Sequence, residues 1–479
     1  MSKKFYITTA IPYVNAKPHI GHALEFVQAD VIARYHKLIG DNVLLLSGGD
    51  ENALKNVQAA EKEKIGVQEF IDRNAILFEE LAAKLNVTFN VFQKGSDKKH
   101  HFQSSQELWK KCYDAGDIYT KSYEGLYCVG CEVFYTPDDL DNKGECFEHP
   151  GKKLEKVSEE NYFFKLSKYQ NELISLINRD TLKIIPTTRK NEILSFLKKP
   201  LNDISISRSN ERAKNWGVPV PGDNKQRIYV WFDALNIYQS GIGFGWDNNE
   251  YEKWWPADVH VIGKGIIRFH AVYWPAFLLS AKLKLPKSLF VHGYFTINGQ
   301  KMSKTIGNII DPLELIDKYG SDSLRYYFLK EIPAYSDGDF SERRFKELYN
   351  ADLANGLGNL ISRVAKLSQD SGYKIQDMNK EYYIDGYGEY NHLFAEFRFN
   401  EILELIWQKI TEQNKYIDSN KPWKLTGNKL IQILNHSIGN IFEIAYLLKP
   451  FLPETTDKIF RQFRKPTINL EKPLFPRIK

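Results

Sequence analysis

Two imidazoles and two ammonium groups are the side chains of this 479-residue chain best placed to do chemistry. His19 and His22 flank Ile20 and Gly21 in Pro18-His19-Ile20-Gly21-His22, and Lys301 and Lys304 stand three apart in Gly299-Gln300-Lys301-Met302-Ser303-Lys304-Thr305-Ile306-Gly307-Asn308. Imidazole N–H groups are movable hydrogen-bond donors and lysines carry charge on flexible stems, so both suit an anion such as phosphate. With 11 His and 30 Gly in the chain, His-x-Gly-His arises by chance roughly 0.016 times. A single Lys-x-x-Lys is commonplace on solvated surfaces. The lysines gain meaning from the combination, which reads as two halves of one nucleotide-activating site.

The flanking sequence says how these groups are held. The apolar, β-branched run Phe5 to Ala10 reads as a buried first strand, and His22 to Ile39 as a helix stopped by Gly40. The histidines therefore fall at a strand-to-helix junction, where unpaired backbone N–H groups and the helix dipole favour phosphate and Gly21 admits a close approach. The lysines follow a strand-like stretch, Leu289 to Ile297, in a glycine-flanked segment able to close over a leaving group. A second strand, Val43 to Leu46, ends in Ser47-Gly48-Gly49-Asp50. These signals predict the first half of a doubly wound parallel sheet with ligand groups at the carboxyl ends of strands. The sheet is expected to resume at Arg227-Ile228-Tyr229-Val230-Trp231, after a boundary at Trp216 to Pro221. The amphipathic stretches Leu353 to Leu367, Phe394 to Tyr416 and Leu430 to Leu448 predict a helical bundle.

Three of the four cysteines form a separate group: Cys128-x-x-Cys131 and, after 14 residues, Cys146-x-x-His149. That is ligand spacing for tetrahedral zinc, and four protein ligands leave no open position, so the metal would be structural. The plainer alternative is a set of buried thiols in a reducing compartment. Cys112, in the helical stretch Leu108 to Ala115, reads as core.

The His-Ile-Gly-His and Lys-Met-Ser-Lys motifs resemble the hallmarks of class I aminoacyl-tRNA synthetases. More narrowly, Ala10-Ile11-Pro12-Tyr13, Ser47 to Glu51, Trp231-Phe232-Asp233-Ala234-Leu235, Ile262-Gly263-Lys264 with Arg268-Phe269-His270, and His292-Gly293-Tyr294 are similar to the methionyl branch, in order and over nearly the whole chain. The resemblance implies an α/β fold: a Rossmann-like catalytic domain (1–116 and 226–295) split by a zinc-knuckle insertion (117–225, knuckle 128–149), a linking fold carrying the lysine motif (296–345) and an α-helical anticodon-binding domain (346–479).

The resemblance also implies roles. His19 and His22 would hold the ATP phosphates as the transition state forms, and Lys301 and Lys304 the departing pyrophosphate, with Mg²⁺ sharing the charge. Gly21, Gly263, Gly265 and Ser303 would complete the ATP site. Ile11, Tyr13, Asp50, Trp231, Ala234, Leu235, Tyr238, Ile266 and His270 would bind methionine, with Asp50 facing its ammonium; polarizable walls suit a thioether. Asn359, Arg363 and Trp423 would read the anticodon of tRNA(Met), and Zn²⁺ would sit on Cys128, Cys131, Cys146 and His149. Three positions depart from the pattern of many relatives: Asn52-Ala53 replaces His-Gly, Gly265 replaces an aspartate expected near the ribose, and Thr305 replaces serine. Gly265 implies rearranged ribose contacts.

Composition sets the remaining bounds. A net charge of +5, from 65 Lys plus Arg against 60 Asp plus Glu, gives no global basis for nucleic-acid binding, so a local patch must supply it. The start Met1-Ser2-Lys3-Lys4 leaves no room for a secretory signal and no stretch is long and apolar enough to span a membrane, so a cytoplasmic location is expected. The chain stops soon after the bundle, without the extra C-terminal domain that dimerises some relatives; a monomer is expected. Two other readings stand beside this one: a synthetase for another apolar amino acid, which the pocket aromatics and small insertion argue against, and a non-catalytic tRNA-binding paralogue, which the intact histidines and lysines argue against.

Overall fold

The structure is a computed structural model that describes residues 3–128, 133–135, 140–146, 151, 154–301, 309–374 and 386–478. Its centre is a six-stranded, all-parallel sheet in the order Val91–Lys94, Asn42–Gly49, Lys4–Thr8, Val259–Gly263, Ser288–His292, Lys183–Ile185. The first strand is buried on both faces, with Tyr6, Ile7 and Thr8 fully inaccessible, as expected of a parallel strand covered by helices on either side. From Lys4–Thr8 the chain steps outward to Asn42–Gly49 and Val91–Lys94, then returns to place Val259–Gly263 on the other side. The order reverses between Lys4–Thr8 and Val259–Gly263. Such a switch point opens a crevice at the carboxyl ends of the strands.

Two features of the sheet differ from the sequence reading. The strand-like stretch 227–231 does not rejoin it: Asp223–Ile228 pairs antiparallel with Pro219–Val220 and Ser207–Ser209 in a small separate sheet, and Val230–Leu235 is helical. Its alternating Asp223, Lys225 and Arg227 suit a half-solvated antiparallel strand, whereas the strand that does rejoin, Val259–Gly263, is buried at all five positions. The edge strand Lys183–Ile185 comes from within the stretch read as an insertion. Three residues long, it carries too little periodicity to be read from sequence.

The rest of 118–209 is dominated by a four-stranded antiparallel sheet ordered Val133–Tyr135, Ile118–Cys128, Glu155–Phe164, Ile204–Ser205. After the parallel sheet, Phe295–Ile297, Gln300–Lys301 and Gly338–Phe340 form a third small sheet. The described residues between Glu342 and Phe463 are mainly helical, with long helices at Asn359–Asp370, Phe399–Asn420 and Gly427–Leu448. The predicted stretch from Phe394 is broken at Phe397, whose φ of 56° ends one helix before Phe399 starts the next. No helix among the described residues is long and apolar enough to cross a membrane.

One buried cation fastens the bundle to the sheet. Arg325, fully inaccessible, pairs with Asp30 of the first helix (Ile20–Leu38) at 2.7 Å and donates to the carbonyls of Leu85 (3.0 Å), Pro450 (2.9 Å) and Phe451 (2.8 Å). An apolar core then runs without interruption from Phe5 through the bundle to Phe475.

Candidate active site

His19 is the N-cap of the first helix, which begins at Ile20, two residues earlier than the sequence reading placed its start. Its Nδ1 accepts from Gly21 N–H at 3.1 Å, and His22 Nδ1 accepts from His19 N–H at 3.1 Å, a reciprocal capping box built from two histidines. A backbone N–H can only donate, so both Nδ1 atoms are acceptors and each ring proton sits on Nε2. The rings lie 3.9 Å apart between centroids. Burial, reinforced by His19, holds the His22 imidazole well below its ordinary pKa. The helix thus opens with two oriented, uncharged donors, their Nε2–H groups, while the capping box takes up the N–H groups of His19 and Gly21. Gly21 is needed here, because a Cβ would meet His19 Cε1 at 2.9 Å.

The other side of the switch point is a pocket. Ile11, Trp231, Ala234, Leu235, Tyr238, Ile266 and His270 line it together, seven of the nine residues assigned above to methionine. The remaining two, Tyr13 and Asp50, form an isolated parallel bridge just past the ends of the first two strands, with Asp50 N–H donating to Pro12 O at 2.9 Å. Tyr13 meets Trp231 edge-on at 6.4 Å and lies under the Lys55 ammonium at 4.0 Å.

Hydrogen bonds fix the pocket's polarity. His270 Nδ1–H donates to Ile266 O at 2.9 Å, so its Nε2 accepts from the Tyr238 hydroxyl at 2.8 Å. Burial brings His270 down to about 4 and raises Tyr238 well above its usual range. Both are neutral near pH 7. An uncharged, aromatic wall can take an apolar, polarizable chain without desolvating an ion. The stretch Phe269–Tyr273 is a π-helical turn, a local widening that recurs at functional sites.

Several supports were not singled out in the sequence. Phe269 stacks flat on Trp231 at 3.6 Å. Asp233, buried behind the pocket helix, accepts from Asn52 Nδ2 (2.7 Å), His101 Nε2 (2.8 Å) and Ser105 Oγ (2.8 Å). Asn52, one of the departures noted above, also donates to Gly95 O at 2.7 Å, so the amide bridges the strand ends to the pocket helix. Glu25, one turn after His22, accepts from Ala10 N–H (2.8 Å) and contacts His292 Nε2 (2.9 Å). Its i+3 spacing from His22 is the only signal of it in the sequence.

Gly263 and Gly265 end the strand Val259–Gly263 and begin the turn that follows it, beside the pocket residue Ile266. Lys301 ends the short strand paired with Thr296. Ser303 and Lys304 lie outside the described residues, as do Cys131 and His149. Cys128 and Cys146 are both buried: Cys128 closes the strand Ile118–Cys128, and Cys146 Sγ donates to Tyr135 Oη at 3.4 Å on the paired strand. Among the described residues no group of three or more His, Cys, Asp or Glu side chains could hold a metal ion; the two described thiols, both buried, are of the soft donor type that suits zinc.

In the bundle, Asn359 and Arg363 share one face of their helix. Arg363 pairs with Asp418 at 2.5 Å and lies 5.9 Å from the Trp423 ring, which is 54% exposed. Trp423 therefore does not cap the bundle core. It lines a groove with Ser362, Arg363, Lys366, Leu367 and Leu470.

Comparison with known proteins places this geometry. The family of class I tRNA synthetases (M) matches residues 5–365. The chain is 41% identical to the methionine–tRNA ligase of Thermotoga maritima, covering 96% of this chain and 75% of that one, and 41% identical to that of Synechocystis sp., covering 96% and 89%. Its structure superposes on Mycobacterium tuberculosis methionyl-tRNA synthetase in complex with methionyl-adenylate with a TM-score of 0.91 at 35% identity, covering 99% and 100% of the two chains, and on the apo form of that enzyme with 0.84 at 32%. By the family match over residues 5–365 and the identity to these ligases, the chain belongs to the class I tRNA synthetases, in their methionyl branch.

Proposed function

We propose that this protein joins L-methionine to tRNA(Met) in two steps. The methionine carboxylate attacks the α-phosphorus of ATP, forming methionyl-adenylate and releasing pyrophosphate. A terminal ribose hydroxyl of the tRNA then attacks the adenylate's carbonyl carbon and AMP leaves. The observation that carries this reading is that the neutral aromatic pocket and the His19–His22 pair both draw on segments leaving the carboxyl ends of the strands Lys4–Thr8 and Val259–Gly263, where the strand order reverses. In the first step two anions must meet, so alignment and electrostatic stabilisation dominate. Because the two imidazoles contribute donors but no charge, neutralisation of the phosphates falls to Lys301, Lys304 and a Mg²⁺ carried with ATP. Asp50, whose backbone is bridged to Tyr13 just past the first two strands, would take the substrate ammonium. Methionine-dependent exchange of labelled pyrophosphate into ATP tests the reading: exchange with methionine but not with isoleucine, leucine or valine is expected, and its absence rejects the proposal.

The soft donors on the 118–135 ribbon support a structural zinc on Cys128, Cys131, Cys146 and His149. Freshly purified protein is expected to hold about one zinc per chain, and Cys131→Ala or Cys146→Ala to lose it, because an incomplete tetrahedron binds far more weakly. Elemental analysis decides this, and a metal-free wild type rejects it.

The groove around Trp423 supports anticodon reading by Asn359, Arg363 and Trp423, since an exposed indole beside cations suits unpaired bases. Trp423→Ala is expected to weaken aminoacylation by about 1–3 kcal/mol while pyrophosphate exchange stays at the wild-type level. Equal losses in both assays indicate a folding defect. A monomer in the cytoplasm completes the proposal.

A further inference from the structure

Tyr294 lies across two glycines. A Cβ at Gly265 would fall 1.7 Å from the Tyr294 hydroxyl and 3.0 Å from Cζ, and one at Gly263 would fall 3.6 Å from Cε1. The ring therefore runs along the backbone of residues 263–265, and its oxygen occupies the space that any side chain at position 265 would need. Neither glycine has a positive φ. Contact with Tyr294, and not backbone conformation, is what excludes a side chain at Gly265.

The tyrosine is held there from several directions. Its N–H donates to Asp337 Oδ1 at 2.9 Å and its carbonyl accepts from Gly338 N–H at 3.0 Å. Lys264 reaches Asp337 Oδ2 at 2.6 Å with its ammonium 4.9 Å from the Tyr294 ring centroid. A Cβ on the preceding Gly293 would come 2.2 Å from Ser336 O, so that turn is pressed against 336–338. Two residues before Tyr294, His292 contacts Glu25, one helical turn beyond His22. Tyr294 is nonetheless 44% exposed.

We propose that Tyr294 positions the nucleotide by hydrogen bonding from its hydroxyl to the ATP sugar. This rests on the reaction proposed above. The phosphates belong at His19 and His22 and the amino-acid carboxylate at the mouth of the pocket, whose wall includes Ile266. The sugar is one ester bond from the α-phosphate, so it must lie over the residues that join these two places, and 263–265 lead directly into Ile266. That stretch offers bare backbone and a lysine drawn to Asp337. A phenol both donates and accepts, which matches a sugar hydroxyl.

The test is pyrophosphate exchange by the full chain with ATP, 2′-deoxyATP and 3′-deoxyATP. Tyr294→Phe is expected to raise KM for ATP about 5- to 10-fold, the loss of one hydrogen bond, with KM for methionine unchanged. Removing the contacted sugar hydroxyl should cost the wild type a similar factor and Tyr294→Phe nothing further, for one of the two deoxynucleotides. Gly265→Ala should raise KM for ATP in the wild type and raise it less on a Tyr294→Phe background, where the hydroxyl that the new methyl would strike is gone. A Tyr294→Phe enzyme that discriminates against both deoxynucleotides as the wild type does overturns the proposal, as do strictly additive effects at 265 and 294. Absence of exchange in the wild type would instead reject the activity itself.

Discussion

His22→Ala is expected to slow methionine-dependent pyrophosphate exchange by about 30- to 1,000-fold, the ~2–4 kcal/mol that one oriented transition-state donor supplies. Methionine binding without ATP should barely change, because the pocket shares no hydrogen bond with His22. The substitution also removes the acceptor for His19 N–H, so a loss of about 0.5–2 kcal/mol in stability should accompany it. Chemical denaturation separates the two effects, and the kinetic one should be the larger. The hydrogen bonds also give the pH dependence a sign. Because His22 and His270 have lowered pKa values in the fold, their neutral forms are the native ones. Their contribution to stability is complete above the ordinary histidine pKa near 6.5 and is lost as pH falls toward the folded values, with His270 reaching its own at about 4. In the folded enzyme both rings stay neutral well below pH 6.5, so acidification should first erode stability, and exchange should fail only as the fold is lost or the rings protonate at their lowered values. Wild-type-like exchange by His22→Ala would remove the histidine pair from the mechanism.

The second large effect is expected far from the substrates. Arg325→Met should destabilise the protein by about 3–5 kcal/mol, the cost of leaving a buried partner uncompensated. Asp30 would keep only its contact with Arg34 at 2.6 Å, and the carbonyls of Leu85, Pro450 and Phe451 would lose their donors. Arg343→Met is the control. Its pair with Glu347 is a surface pair, with Arg343 80% exposed, and its loss should stay within about 0.5 kcal/mol. Urea unfolding followed by fluorescence measures both. Equal effects of the two substitutions would mean that the buried arginine is not what ties the bundle to the sheet.

How far the site could be read from sequence depended on whether its information was local. A strand, a glycine and a helix start within about 20 residues marked the strand-to-helix junction of the histidines in sequence, while the capping box that orients them did not show there. The pocket residues were legible through motif resemblance, and the structure gathers Ile11, the 231–238 helices and Ile266 with His270 around one opening. Contacts between distant segments were illegible. Nothing near Arg325 in sequence says that it will meet Asp30, and nothing near Gly265 says that a tyrosine from the next strand's exit will fill its place. Asp223–Ile228 misled for a related reason: strand propensity is local, but which sheet a strand joins is decided by the faces it can bury.

The parallel sheet also has a history in time. Lys4–Thr8 finds one neighbour as soon as Asn42–Gly49 is made, but its other neighbour, Val259–Gly263, lies some 250 residues downstream. At ribosomal speeds of about 5–20 residues per second, that flank of Tyr6 and Ile7 stays unpaired for roughly 12–50 s in every new chain. An open apolar edge of this kind is a template for association with other nascent chains. The central strand of the finished protein is thus its most vulnerable segment during synthesis, and slower translation initiation or chaperone supply should raise the yield of folded protein without changing a residue.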